Sequence, residues 1–158
     1  MKKAALVVVI GLVVAGCGGD PDHLNMDTPG HTLPAYTSGP ATVGLGSTER
    51  GVALVDARGQ ALYAFDRDSN NKSVCDADCT SMWPPATTDG EPQPGKGVRS
   101  DLLDSFDRGD GTRQVTYAGR PLYRFVKDVS PGDAVGQDLT DFGAQWYLLG
   151  ASGDKIPG

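Results

Sequence analysis

One ten-residue phrase occurs twice in this chain, and it limits what the chain can fold into more than any other feature. Gly59 to Asp68 reads G-Q-A-L-Y-A-F-D-R-D, and Gly119 to Asp128 reads G-R-P-L-Y-R-F-V-K-D. Gly, Leu, Tyr, Phe and Asp recur at identical offsets after a shift of 60 residues. Val52 to Asp56 (V-A-L-V-D) precedes the first copy and Gln114 to Tyr117 (Q-V-T-Y) the second, and a tryptophan follows each, Trp83 and Trp146. Self-similarity at a fixed period makes each copy one supersecondary unit, unable to bury its apolar face alone. Residues 41–90 are therefore read as a first repeat and 91–158 as a second, the two forming one domain.

Each copy reads as strands. Thr42 to Thr48 and Gly51 to Asp56 carry strand composition, Ala57-Arg58-Gly59 supplies a hairpin turn, and Gln60 to Asp66 forms a third strand. Period two places Tyr63 and Phe65 on one face and Leu62 and Ala64 on the other, and the aromatic face is assigned to the core. A long polar loop follows, and Trp83-Pro84-Pro85 returns the chain in extended form. Thr88 to Gly97 reads as a linker. The second copy gives strands over Leu102–Arg108, Thr112–Tyr117, Pro121–Val126 and Ala144–Leu149. Pro121 cannot donate to a ladder, which puts it at a strand start or edge. With 22 glycines, 11 prolines and no sustained helical period, the expected fold is all-β. Two tandem β-meander repeats would pack as a small sandwich or barrel.

The first 40 residues differ in character. Met1-Lys2-Lys3, an apolar run from Ala4 to Val14, and Val14-Ala15-Gly16-Cys17 describe a lipoprotein signal peptide over residues 1–16. Cleavage would leave Cys17 first, its sulfur carrying the acyl chains that tether the protein to the membrane. Residues 17–40 are polar, rich in glycine and proline, and read as a disordered tether. Loss of Lys2 and Lys3 changes the count from 14 minus 20 to 12 minus 20, or −8. An acidic domain repels nucleic acid and anionic headgroups, so no nucleic-acid partner is expected and the lipid alone holds the membrane.

With Cys17 lipidated, Cys75 and Cys79 remain, in Cys-Asp-Ala-Asp-Cys. In an oxidising compartment such a pair is read as a structural disulfide, provided the loop is tightly turned or helical. A two-sulfur metal site lacks other ligands nearby, and a redox dithiol would more usually have two intervening residues.

Leu62-Tyr63-x-Phe65-x-x-Asp68, Cys75-x-x-x-Cys79, Trp83-Pro84-Pro85, Gln114-Val115-Thr116-Tyr117-x-Gly119-x-Pro121-Leu122-Tyr123 and Gly143-x-x-Trp146-Tyr147 together resemble the bacterial secreted-repeat lipoproteins, with their tandem Tyr-x4-Asp motif. The motif falls on Tyr63 with Asp68 and on Tyr123 with Asp128, and the likeness runs from Gly51 to Leu149. It implies the fold, export and the repeat boundaries. It implies no activity, since that family has no established biochemical role.

Two readings compete for the motif. Tyr63, Asp68, Tyr123 and Asp128 could line twin ligand pockets, or each ring could fill core while its hydroxyl finds an acceptor, such as the aspartate at the strand's end. Repetition favours the second, because a residue needed once per copy for packing also appears twice. Phe65, Trp83, Phe125 and Trp146 are assigned to an aromatic core. For metals, His23, Met26 and His31 form a candidate copper set, and Asp66, Asp68 and Asn70 mimic the opening of a calcium loop. The loop lacks the glycine and closing glutamate of that pattern, with Asn71 and Ala77 in their places.

Neither histidine falls inside residues 41–158, which removes His-based nucleophilic catalysis from the domain. No feature selects a pair among the many carboxylates. The expectation is a lipid-anchored extracytoplasmic protein without enzymatic activity or cofactor, binding an envelope protein or small ligand. Copper or calcium handling is the alternative, and a redox accessory role a more distant one.

Overall fold

Glycine and proline punctuation cuts the chain into short strands. The computed structural model describes residues 39–158. Cys17, His23, Met26 and His31 lie outside the described residues, so the lipid and copper readings find no structural counterpart here. β1 (Thr42–Thr48) and β2 (Gly51–Asp56) form an antiparallel hairpin with Thr48 opposite Gly51. β3 (Tyr63–Phe65) is followed by helix α1 (Ala77–Met82) and by β4 (Gln93–Pro94), which runs parallel to β1. A 3-10 turn over Ser100–Leu102 leads into β5 (Leu103–Asp107), β6 (Arg113–Tyr117) and β7 (Arg120–Pro121). The chain ends with β8 (Thr140–Asp141) and β9 (Ala144–Leu148). Three small sheets result, ordered β2-β1-β4, β3-β9-β8 and β5-β6-β7. The all-β expectation holds, as packed sheets without a closed barrel.

The motif strands are shorter than the sequence predicts because each changes partner midway. In the first copy the Leu62 N–H donates to Leu54 O in its own half at 3.0 Å. The next residue, Tyr63, donates instead to Tyr123 O at 2.8 Å. The second copy repeats the switch, with Leu122 bonding Val115 O at 3.0 Å and Tyr123 bonding Tyr63 O at 2.9 Å. Each half then receives the other's return segment. The Leu54 N–H donates to Leu149 O at 2.9 Å, and the equivalent Val115 N–H donates to Ala86 O at 2.8 Å. Further along, Asp66 donates to Gln145 O and Val126 to Met82 O. The repeats thus exchange segments, each completing the other.

That exchange leaves the motif strand no solvent face. Tyr63 and Phe65 point into one cluster with Trp83, Tyr123, Phe125 and Trp146. Leu62 and Ala64 point into a second cluster with Leu54, Val115, Leu122, Tyr147 and Leu149. Period-two alternation separates the two sets as expected, but both sets are core. Burying one such apolar side chain contributes about 1.5–3 kcal/mol relative to leaving it exposed.

Helix α1 is the departure from an all-strand reading. Its six residues contain neither Gly nor Pro, and Trp83 before Pro84 is pushed out of helical backbone, which stops it. One turn brings the Cα atoms of Cys75 and Cys79 to 5.2 Å, and the disulfide closes there. Both sulfurs belong to the aromatic cluster.

Candidate functional site

The two halves meet at the motif tyrosines. Their main chains form a reciprocal pair of hydrogen bonds, and both side chains are fully buried. From this junction the hydroxyl of Tyr63 donates to Oδ2 of Asp128 at 2.6 Å, and that of Tyr123 donates to Oδ2 of Asp68 at 2.6 Å. Each tyrosine pairs with the aspartate of the other copy. An acceptor at the strand's end was expected; its place in the opposite repeat was not visible in either copy alone.

The aspartates are positioned by matching turns. Asp68 N–H donates to Phe65 O and Asp128 N–H to Phe125 O, both at 3.1 Å. The second carboxylate oxygen is also taken in each case, accepting from Val74 N–H at 2.8 Å for Asp68 and from Val135 N–H at 3.0 Å for Asp128. A buried carboxylate is tolerable only when its oxygens are matched in this way.

The surroundings of the two hydroxyls differ. That of Tyr63 accepts from Gly136 N–H at 3.3 Å, while Ser73 Oγ lies 2.7 Å from that of Tyr123. A Cβ on Gly136 would sit 2.8 Å from Trp83 Cη2 and 3.0 Å from Tyr63 Cζ, so only glycine fits beneath the rings. Gly136 and Ser73 lie in polar loops with no pattern to single them out, and the sequence reading passes over both.

Between the pairs the aromatic rings form one ordered stack. Phe65 lies on Trp146 at 4.2 Å, Trp146 on Trp83 at 3.9 Å, and Trp83 on Phe125 at 4.2 Å. Tyr63 meets Trp83 edge-on at 5.4 Å, and Tyr123 meets Trp146 edge-on at 5.1 Å. The stack again alternates between repeats. Both indole N–H groups turn to one residue, Trp83 donating to Asp141 Oδ2 and Trp146 to Asp141 O, each at 3.3 Å.

Electrostatics follow from burial. Desolvation holds the phenols of Tyr63 and Tyr123 well above the ordinary tyrosine range, and the paired carboxylates push the same way. Burial also raises the carboxyls of Asp68 and Asp128, against the opposing pull of the tyrosine hydrogen bonds and backbone N–H groups. Arg108 bears on Asp68, whereas Asp133 and Glu49 bear on Asp128.

The calcium candidates serve different neighbours. Asp68 faces Tyr123 and Val74; Asp66 bears on the Tyr147 phenol, which burial first and this carboxylate next push up to about 12. The Asn70 side chain lies over Gly119, where an added Cβ would come within 2.6 Å of its Oδ1. No group of three His, Cys, Asp or Glu residues placed to hold a metal occurs among the described residues.

Next to the Tyr123–Asp68 pair lies a shallow depression of about 210 Å³, lined by Asn71, Lys72, Ser73, Phe106, Asp107 and Arg108. Arg108 is fixed at its edge, donating to Cys75 O at 3.0 Å and to Gln114 Oε1. Ser73 therefore touches both the depression and the buried hydroxyl.

Residues 44–87 and 104–149 each match the model of a family described as a secreted repeat of unknown function. The two matches span more than half of the chain, and the protein belongs to this family of secreted repeats. They also coincide with the two interlocked halves seen in the structure. No curated protein and no solved structure matches the chain.

Proposed function

We propose that this protein is a membrane-anchored extracytoplasmic lipoprotein whose β-domain binds an envelope partner or a small ligand without converting it. The observation that carries this reading is the inward direction of the repeated machinery. Both motif tyrosines are buried and donate to the aspartate of the opposite copy, Asp128 buried and Asp68 half-buried, so the residues that recur are spent on holding the halves together. Recognition then falls to the surface, where the depression lined by Asn71, Lys72 and Ser73 of the first repeat and Phe106, Asp107 and Arg108 of the second offers a polar, partly basic recess. The sequence over residues 1–17 and the family's description as secreted support export, and Cys17 supplies the attachment point.

The test has two arms. Cys17→Ala should move the protein from the membrane fraction to the soluble fraction and remove the lipid mass from its N-terminus. The mature chain should bind saturably to at least one of a panel of cell-wall fragments, oligosaccharides and envelope proteins, and Lys72→Glu with Phe106→Ser should weaken that binding without unfolding the domain. A chain that stays soluble with Cys17 intact defeats the anchor. Silence across the panel, or binding indifferent to the depression, defeats the binding assignment.

A further inference from the structure

The buried rings form a continuous series, independent of the surface reading above. Tyr63, Trp83, Trp146 and Tyr123 are in continuous contact at 5.4, 3.9 and 5.1 Å. Phenols and indoles are the side chains that lose a single electron most readily once thiols are excluded, and Cys75 and Cys79 are joined as a disulfide. Phe65 and Phe125, which are far harder to oxidise, close the stack at either end. All four rings of the series are fully buried, which keeps any radical on them from meeting another in solution.

A phenol gives up an electron easily only if its proton can leave in the same step. Here the acceptor is in place at both ends, 2.6 Å from each hydroxyl. Charge also favours the product. Before oxidation each pair holds one carboxylate charge, buried at Asp128 and half-buried at Asp68; afterwards it holds a neutral phenoxyl radical and a neutral carboxylic acid, and a low-dielectric interior disfavours the charged form, more strongly at Asp128. The raised proton affinity of Asp68 and Asp128 acts in the same direction.

We propose that the Tyr63–Trp83–Trp146–Tyr123 series takes up single oxidising equivalents and stores each as a neutral tyrosyl radical at one end. The co-reactants are a one-electron oxidant of the oxygen-radical or high-valent metal class and a reductant of the ascorbate or hydroquinone class. In uptake, one electron passes to the oxidant, the O–H bond of Tyr63 or Tyr123 breaks, and its proton moves to Oδ2 of Asp128 or Asp68. The stacked indoles relay the electron between ends with no net bond change. In recovery, the reductant returns one electron and the proton goes back from the carboxylic acid to the phenoxyl oxygen.

Flash oxidation of the mature chain by a photogenerated ruthenium(III) polypyridyl complex, followed by electron paramagnetic resonance and transient absorption, tests this. The wild type should yield a neutral tyrosyl radical that outlives the one formed in the urea-unfolded chain, and its formation should slow in heavy water. Tyr36→Phe with Tyr117→Phe and Tyr147→Phe leaves only the two paired phenols and should retain the signal. Asp68→Asn with Asp128→Asn should lose it in favour of an indole radical. If that variant fails to fold, the heavy-water measurement on the wild type still decides, because it reads proton transfer directly. A wild-type radical confined to indole, a tyrosyl signal lost from the triple variant, or formation insensitive to heavy water would overturn the proposal.

Discussion

Tyr63 donates its hydroxyl to Asp128 across the repeat boundary, at 2.6 Å and out of contact with water. The aspartate of its own motif, Asp68, receives Tyr123 instead. The repeated phrase is therefore a coupling device between halves, and its two polar residues are meaningful only in the other copy's company.

We predict that double-mutant cycles will show this crossing. Tyr63→Phe leaves a buried carboxylate oxygen without its donor and should cost about 1–3 kcal/mol in urea unfolding. Tyr63→Phe should couple to Asp128→Asn by about 0.5–3 kcal/mol, and to Asp68→Asn only within about 0.5 kcal/mol. Stronger coupling inside the motif than across it would refute the pairing.

The pH dependence has two parts with definite signs. Asp68 and Asp128 have raised carboxyls in the fold, so the stability they contribute is full below the unfolded value of 3.8 and is lost as pH rises through their folded values. Carboxyl-carbon nuclear magnetic resonance titration should place both midpoints above 3.8, and midpoints at or below it would contradict the geometry. The phenols behave likewise at the other end of the scale. Tyr63, Tyr123 and Tyr147 hold their protons in the fold, so their contribution is full below pH 10 and is lost above it, over roughly pH 10 to about 12 for Tyr147 and to higher pH for the paired phenols. Denaturation midpoints should fall on the alkaline side of pH 10.

Gly136 is predicted to be irreplaceable on grounds of space. Gly136→Ala drives a methyl into Trp83 and Tyr63 and should cost about 1–3 kcal/mol in thermal or urea unfolding. Gly150→Ala meets only Asp154 O at an ordinary 3.8 Å and should stay within about 0.5 kcal/mol of wild type. Equal effects at the two positions would mean that the close approach at Gly136 is not real.

Splitting the chain tests the exchange of segments. Fragments 39–90 and 91–158 each lack the strand that completes their sheets, since Ala86 is held by Leu122 and Val115, and Leu149 by Leu54. Each should be unfolded alone by circular dichroism, and an equimolar mixture should regain dispersed amide resonances. Independent folding of either fragment would sink the interlocked description.

Much of the fold was legible. β1 and β2 fall on the predicted residues, the second hairpin lies within a residue of its expected bounds, and the disulfide closes on the pair that was available. Local signals set these features: alternation, turn residues and cysteine spacing. The aromatic assignments of Phe65, Trp83, Phe125 and Trp146 also hold, because large rings in a small β-domain have nowhere else to go. The crossing of Tyr63 to Asp128 was not legible, since within-copy and between-copy pairing give the same sequence. Helix α1 escaped for a different reason: six residues are too few to show a period. Asp141, Ser73 and Gly136 act through positions set by distant backbone, and only the folded chain shows where they stand.

The face-to-face contact of Trp83 with Trp146 has a consequence for export. A secreted polypeptide threading through a membrane amino end first would deliver Trp83 long before its stacking partner Trp146 emerges within β9. Until then the early half presents bare indole and phenol surface to its surroundings. Maturation of this domain is thus timed by the arrival of its tail, and any escort that shields nascent chains outside the cytoplasm has that interval in which to act.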